Sequence, residues 1–263
     1  MKRKKKIPGI LLCILLTILA AVLLGKPAAR LYRELRFRLS DPTQAEQRVY
    51  DYAREHGYAY GDYPESLIDL LARNPETEAF VLEYPSRREE KYDLREISDR
   101  ETVPLFLQWD RRWGYRRYGS DVMGITGCGP TCLAMVGYYL TGDDSFTPEK
   151  VAEFAERNGY YASGYGSSWT LISEGGVKLG LDVTEIPLVK KRMVENLEVG
   201  NPIILAMGPG DFTTSGHYIV LTGLKEGQFV VNDPNSYANS QRPWAYEELE
   251  DQIRNLWVIR YFG

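Results

Sequence analysis

GITGCGPTCLAM, residues 124–135, packs two of the chain's three cysteines between glycines and an apolar run. Leu133, Val136 and Leu140 recur at spacings of three and four, and Gly142 stands just past the last of them. The stretch therefore predicts a helix over 129–141. Cys128 stands where that helix begins. Pro130 fits its first turn because the missing N–H has no intrahelical partner there, and Gly127 and Gly129 let the backbone turn sharply. Cys132 falls one turn deeper among apolar residues and reads as core.

Downstream of this helix the pattern stays helical for three more segments and then changes. FTPEKVAEFAERNG (146–159) has Thr147 as N-cap, Pro148 at the first helical position and Gly159 at the end. SWTLISEGGVKLGL reads as a further helix, and LVKKRMVENLEVG as another with Met193 and Leu197 on one side. After Gly200 come strand-like runs: 202–207 (PIILAM), 217–224 (HYIVLTGL), 228–233 (QFVVND) and 256–262 (LWVIRYF). Helices first and antiparallel strands afterwards indicate an α+β domain.

Upstream the chain reads as appendages. MKRKKK precedes the nineteen uncharged residues Ile7–Gly25, long enough for a membrane helix. A cleaved secretory signal is the alternative, although its apolar stretch is usually only about 7–15 residues. The dense basic cluster before the run favours an N-terminus inside and a domain outside, against Lys26, Arg30, Arg33, Arg36 and Arg38 after it. Ala45, Val49, Tyr52 and Ala53 give a short helix ending near Gly57. YPESLIDLLARNP gives a second with Leu67, Leu70 and Leu71 on one face, and residues 76–85 a third. SRREEKYDLREISDRE is a charged linker. The expected organisation is a basic N-region and transmembrane signal-anchor (1–26), a juxtamembrane stretch and helical prefix with linker (27–100), and the main domain (101–263).

Composition limits the functions open to this domain. Beyond Lys26 there remain 26 Lys and Arg against 36 Asp and Glu, which argues against a nucleic-acid partner. Three cysteines, one of them Cys13 in the apolar run, make no disulfide framework. Cys128 and Cys132 lie one turn apart on a helix, a poor geometry for a disulfide. One histidine in the main domain and no carboxylate cluster leave no zinc ligand set, and no phosphate-cradling loop is present. No metal or cofactor is expected.

A helix start lowers a thiol's pKa by presenting unpaired N–H groups and the positive dipole end, so Cys128 is the candidate nucleophile. Of the two histidines, His56 sits at the end of a prefix helix, where capping is the simpler role. His217 opens the strand YIVLTGL and is the candidate base. The next strand ends at Asn232-Asp233-Pro234, and Phe229, Val231 and Asp233 share a face, which brings Asp233 beside His217 as the group that orients the imidazole. A tetrahedral oxyanion needs donors: the Cys128 N–H is one, and the Gln108 side-chain amide, between Leu107 and Trp109, is the other candidate. Trp109 and Trp113 read as packing around Gln108.

Taken together, Gln108 with Trp109, Asp110 and Trp113, then Gly127-Cys128-Gly129-Pro130-Thr131, then Gly216-His217-Tyr218, then Asn232-Asp233-Pro234 resemble the papain-like cysteine peptidases. The resemblance is to the double-glycine leader peptidases of bacteriocin exporters, cysteine-peptidase family thirty-nine, and to their stand-alone relatives. It covers roughly Val103 to Gly263, and YPESLIDLLARNPETEAFVLEYP resembles the segment that often precedes the domain. It implies a papain-like fold, Cys128 as nucleophile, His217 as base, Asp233 as orienter, Gln108 as oxyanion donor, and a peptide or protein substrate. Twenty positions separate Gln108 from Cys128, the spacing of the stand-alone branch. The function expected is therefore a membrane-anchored, extracytoplasmic cysteine peptidase. A cell-wall amidase or transpeptidase would use the same residues, and a catalytically idle binding module of the same fold is the alternative from another class.

Overall fold

The computed structural model describes residues 25, 27–90, 101–164 and 166–263. The expected membrane span Ile7–Gly25 lies outside the described residues apart from Gly25, as does most of the charged linker. Among the described residues no helix is long and apolar enough to cross a membrane. The chain divides into two compact units between Pro85 and Ser86.

The first unit is helical. Helix α1 (27–39) is followed by α2 (Gln44–Glu55), α3 (Glu65–Arg73), α4 (Glu78–Leu82) and the short α5 (Tyr84–Arg87), which runs over the division. A capping box starts α2: Glu46 N–H donates to Thr43 Oγ1 at 3.2 Å, and Thr43 N–H donates to Glu46 Oε2 at 2.8 Å. Val49 and Ala53 of α2 bury with Leu67, Leu70 and Leu71 of α3 and with Phe80 and Val81. Phe37 of α1 stacks on Tyr50. His56 caps α2, its Nδ1 2.9 Å from the Tyr52 carbonyl and its ring stacked on Tyr52, so its role is local.

The second unit carries a six-stranded antiparallel sheet. Two ribbons come first in the chain, β1 (Arg117–Tyr118) with β2 (Asp121–Val122), and β3 (Tyr161–Ala162) with β4 (Gly166–Ser167). The sheet comprises β5 (Asp182–Glu185), β6 (Ile203–Met207), β7 (His217–Lys225), β8 (Gln228–Asn232), β9 (Pro243–Trp244) and β10 (Ile253–Arg260), in the order β5-β10-β6-β7-β8-β9. The four runs expected as strands form its centre. The edges were not foreseen, because β5 is a short, half-exposed polar strand and β9 has two residues.

Helices α6 (Met123–Thr126), α7 (Cys128–Thr141) and α8 (Pro148–Arg157) follow the first ribbon. The middle of α7 is buried all round, so it is a core helix rather than an amphipathic one. Leu133 and Val136 of α7 join Tyr218 and Val220 of β7 in one apolar cluster. A second cluster on the other side of the sheet gathers Met193 and Leu197 of α10 (Lys190–Glu198) with Ile219, Leu221, Phe229 and Val231. Gly142, in the left-handed region at φ 67°, ends α7. The helix expected over SWTLISEGGVKLGL is present but shorter, and its first part is a π-helical turn, Leu171–Gly175, that runs into α9 (Gly176–Lys178). A Cβ at Gly176 would come within 2.8 Å of Val183, so the double glycine lets this turn press against β5.

Candidate active site

The first intrahelical bond of α7 runs from Thr131 N–H to the Gly127 carbonyl at 3.0 Å. The amides of Cys128 and Gly129 precede it and lie at the positive end of the helix. Cys128 is half-buried and packs against the core cluster, whereas Cys132 is fully buried. The two glycines beside Cys128 serve space rather than unusual dihedrals. Gly127 sits at φ −89°, and a Cβ there would meet the Met123 carbonyl oxygen at 2.5 Å. A Cβ on Gly129 would lie 2.7 Å from Ser167 Oγ. Ser167, on β4, pairs its hydroxyl with Tyr118 at 2.7 Å, and its carbonyl accepts from the Tyr218 hydroxyl at 3.3 Å. The β3–β4 ribbon is thereby pinned against the first turn of α7.

His217 is the first residue of β7 and Asp233 the residue after β8. The register Val220↔Asn232 and Leu221↔Val231 brings the two to the same end of neighbouring strands. His217 Nε2 donates to Asp233 Oδ1 at 2.7 Å. The carboxylate can only accept, so Nε2 carries the hydrogen and Nδ1 is the nitrogen left for other partners, with the Cys128 side chain near enough to the ring to influence it. Burial of the ring opposes its positive charge, but the Asp233 carboxylate and the Cys128 sulfur outweigh it and raise the imidazole to about 10. The imidazolium is therefore the favoured form of His217 at neutral pH. Burial pushes the Cys132 thiol well above the usual range, reinforced by the negative charges of Cys128 and Asp233. One of the two cysteines lies beside a charged imidazole and the other is sealed in the core.

Asp233 is almost wholly enclosed. Oδ1 also accepts from Asn235 N–H at 2.8 Å, Oδ2 accepts from Asn239 Nδ2 at 2.9 Å, and the Asp233 N–H donates to Ser240 Oγ at 2.9 Å. No periodicity or motif marks these residues, which lie on and before the short helix α11 (Tyr237–Ser240). The one available signal was DPNSYANS itself, a run of small amides and hydroxyls of the kind that bond back to nearby backbone.

Gln108 is buried at 3% exposure. Its backbone N–H donates to the Pro234 carbonyl at 2.7 Å, which ties it to the Asp233 loop. Its side-chain Nε2 donates to the Gly124 carbonyl at 2.9 Å and, over a long 3.4 Å, to that of Ile125, while Oε1 has no partner. Gln108 thus reaches the segment leading into Cys128, with one amide hydrogen held firmly and the other only loosely. The tryptophans fix it in place: Trp109 Nε1 donates to the Asn235 carbonyl at 3.0 Å and Trp113 Nε1 to that of Leu107 at 2.8 Å. All four candidate residues are therefore drawn to one end of α7. Among the described residues no three His, Cys, Asp or Glu side chains are grouped to hold a metal.

A sequence profile of the Peptidase_C39 like family matches residues 100–262. No curated protein matches the chain. Among solved structures, the chain is similar to the peptidase domain of Streptococcus ComA, a bi-functional ABC transporter involved in a quorum sensing pathway. The identity is 19% and the TM-score 0.44, over 61% of this chain and 99% of that one. It is also similar to a chain described as a C39-like peptidase from Bacillus anthracis, at 14% identity and TM-score 0.40, over 61% of this chain and 96% of that one.

Proposed function

This chain belongs to the Peptidase_C39 like family, and from that membership we propose that it hydrolyses peptide bonds with Cys128 as nucleophile, His217 as base and acid, and Asp233 as orienter. The His217–Asp233 pair, Nε2 to Oδ1 at 2.7 Å, with Cys128 near enough to the ring to raise its pKa, is the observation that carries this reading. The Cys128 thiolate attacks the substrate carbonyl carbon. The resulting oxyanion takes hydrogen bonds from the Cys128 N–H and from the loosely held Nε2 hydrogen of Gln108. The imidazolium gives its Nδ1 proton to the leaving amine as the C–N bond breaks, which leaves a thioester on Cys128. His217 then takes a proton from water, whose oxygen attacks the thioester and frees the acid product and the thiolate. Asp233 stays ionised and holds the ring's orientation. The substrate class is a peptide or protein.

The apolar run Ile7–Gly25 behind a basic N-terminus supports a single-pass membrane protein with this domain outside the cell. Intact cells carrying the full chain, and detergent extracts of them, can be incubated with a peptide library and cell-wall fragments, with Cys128→Ala as control. Cleavage of a peptide bond by both preparations, lost in the variant, is expected, and mass shifts would name the bond. Cleavage by extracts alone would overturn the external location. No cleavage by either, or equal cleavage by Cys128→Ala, would overturn the peptidase reading.

A further inference from the structure

The Asp233 carboxylate leans on more than its histidine. Its two oxygens and its own N–H are all bonded by residues of the segment that follows it, 235–240. Asn239 is the side chain among these that addresses the oxygen facing away from His217, with Nδ2 to Oδ2 at 2.9 Å while His217 Nε2 holds Oδ1. Asn239 is itself fixed from two sides. Its N–H donates to Ser236 Oγ at 3.1 Å, and its carbonyl accepts from Trp244 Nε1 at 2.9 Å, Trp244 being fully buried on β9. Ser240 Oγ in turn donates to the Ser236 carbonyl at 2.8 Å. The segment thus closes on itself around the carboxylate. The same turn offers the Pro234 and Asn235 carbonyls to Gln108 and Trp109.

From this geometry we infer that Asn239 is a positioning residue of the active site, which aims the Asp233 carboxylate at His217 and through it sustains the reactive Cys128–His217 pair. The physical reason is the two-sidedness of a carboxylate. With donors on both oxygens the group cannot rotate about its Cβ–Cγ bond without losing one of them, and each donor stabilises the charged form. The titratable groups facing this carboxylate are His217 from β7 and Cys132 from α7, and Cys128 acts on the same imidazole. Without Asn239 the carboxylate is free to turn away and supports the imidazolium less, so the Cys128–His217 pair loses reactivity toward acid pH. The inference rests on the triad reading above and adds to it a residue that never meets substrate.

The test needs no knowledge of the substrate. The full chain in detergent is alkylated with iodoacetamide across pH 4–10, and modification of Cys128 is followed by peptide mapping. Asn239→Ala is expected to shift the acid limb of the Cys128 profile upward, so that at pH 5–6 it reacts about tenfold more slowly than the parent, with the two converging near pH 10. Asn239→Asp keeps the shape but replaces the donor by an acceptor, and is expected to slow the reaction at neutral pH at least as much. It keeps the inference open to test should the alanine variant not fold, a case recognised by Cys132 becoming modified as well. Cys128 profiles of both variants superimposable on the parent's, with Cys132 still protected, would overturn the role of Asn239. A His217→Ala profile superimposable on the parent's would instead overturn the triad reading itself.

Discussion

The first and second turns of α7 hold the same residue type in opposite surroundings. Cys128 stands before the first intrahelical bond, half-exposed, with an imidazole against its sulfur; Cys132 stands four residues on, fully buried, with its thiol held protonated by desolvation. The helix is common to both, so composition and local propensity do not distinguish them. Solvation and one partner do. A thiol at a helix start gains unpaired N–H groups and a cation, while one turn deeper the N–H groups are already bonded and low dielectric penalises any charge.

The largest expected effect breaks this contrast directly. In the folded protein at pH 7, iodoacetamide should modify Cys128 at least about a hundredfold faster than Cys132, because reaction at a fully enclosed sulfur waits on local opening. In denaturant the two should react alike, as peptide mapping would show. Comparable rates in the native state would mean that the first turn confers nothing on its cysteine.

Next in size is the dependence of stability on pH. The imidazole of His217 is raised from 6.5 to about 10, chiefly because Asp233 more than offsets its burial. A group raised in the folded state stabilises fully below its unfolded pKa and loses that contribution as pH rises through the folded one. Denaturant unfolding should therefore show stability falling between pH 6.5 and about 10, and His217→Ala should flatten that fall. A wild-type curve flat over the window would show that the imidazolium is not held.

The smallest effect concerns the floor beneath Cys128. Gly129→Ala drives a methyl group against Ser167 and should destabilise by about 1–3 kcal/mol while slowing alkylation of Cys128. Pairing it with Ser167→Gly, which removes the atoms it strikes, should restore part of both in thermal melts and labelling rates. An additive double variant would show that the ribbon does not bear on the first turn.

Much of the second unit was legible because its signals are local. Pro130 and Gly142 bracket α7, Thr147 and Pro148 start α8, and the apolar runs of β6, β7, β8 and β10 are the four central strands. The sheet edges were not, since two residues of β9 and four half-polar residues of β5 carry no periodicity of their own. The sequence suggests a sharp backbone turn at Gly127, yet its dihedrals are ordinary and the constraint is the Met123 carbonyl beside it. Asn239 was invisible for a similar reason. An asparagine on a polar loop looks like solvent-facing surface until the chain has folded back onto Asp233.

The sequence by itself determined which residue types stand at element boundaries: a cysteine at a helix start, a histidine at a strand entrance, an aspartate at the next strand's exit and a glutamine upstream. Order along the chain and the short range of backbone hydrogen bonding suffice for that. Only the tertiary structure decided how those residues are used: that Nε2 of His217 faces the carboxylate, that Asn239 takes the carboxylate's other oxygen, and that Cys132 is sealed while Cys128 is not. These depend on burial and on partners up to 126 positions apart, as Trp109 and Asn235 are. Desolvation and hydrogen-bond direction are properties of the assembled interior, and no single segment contains them.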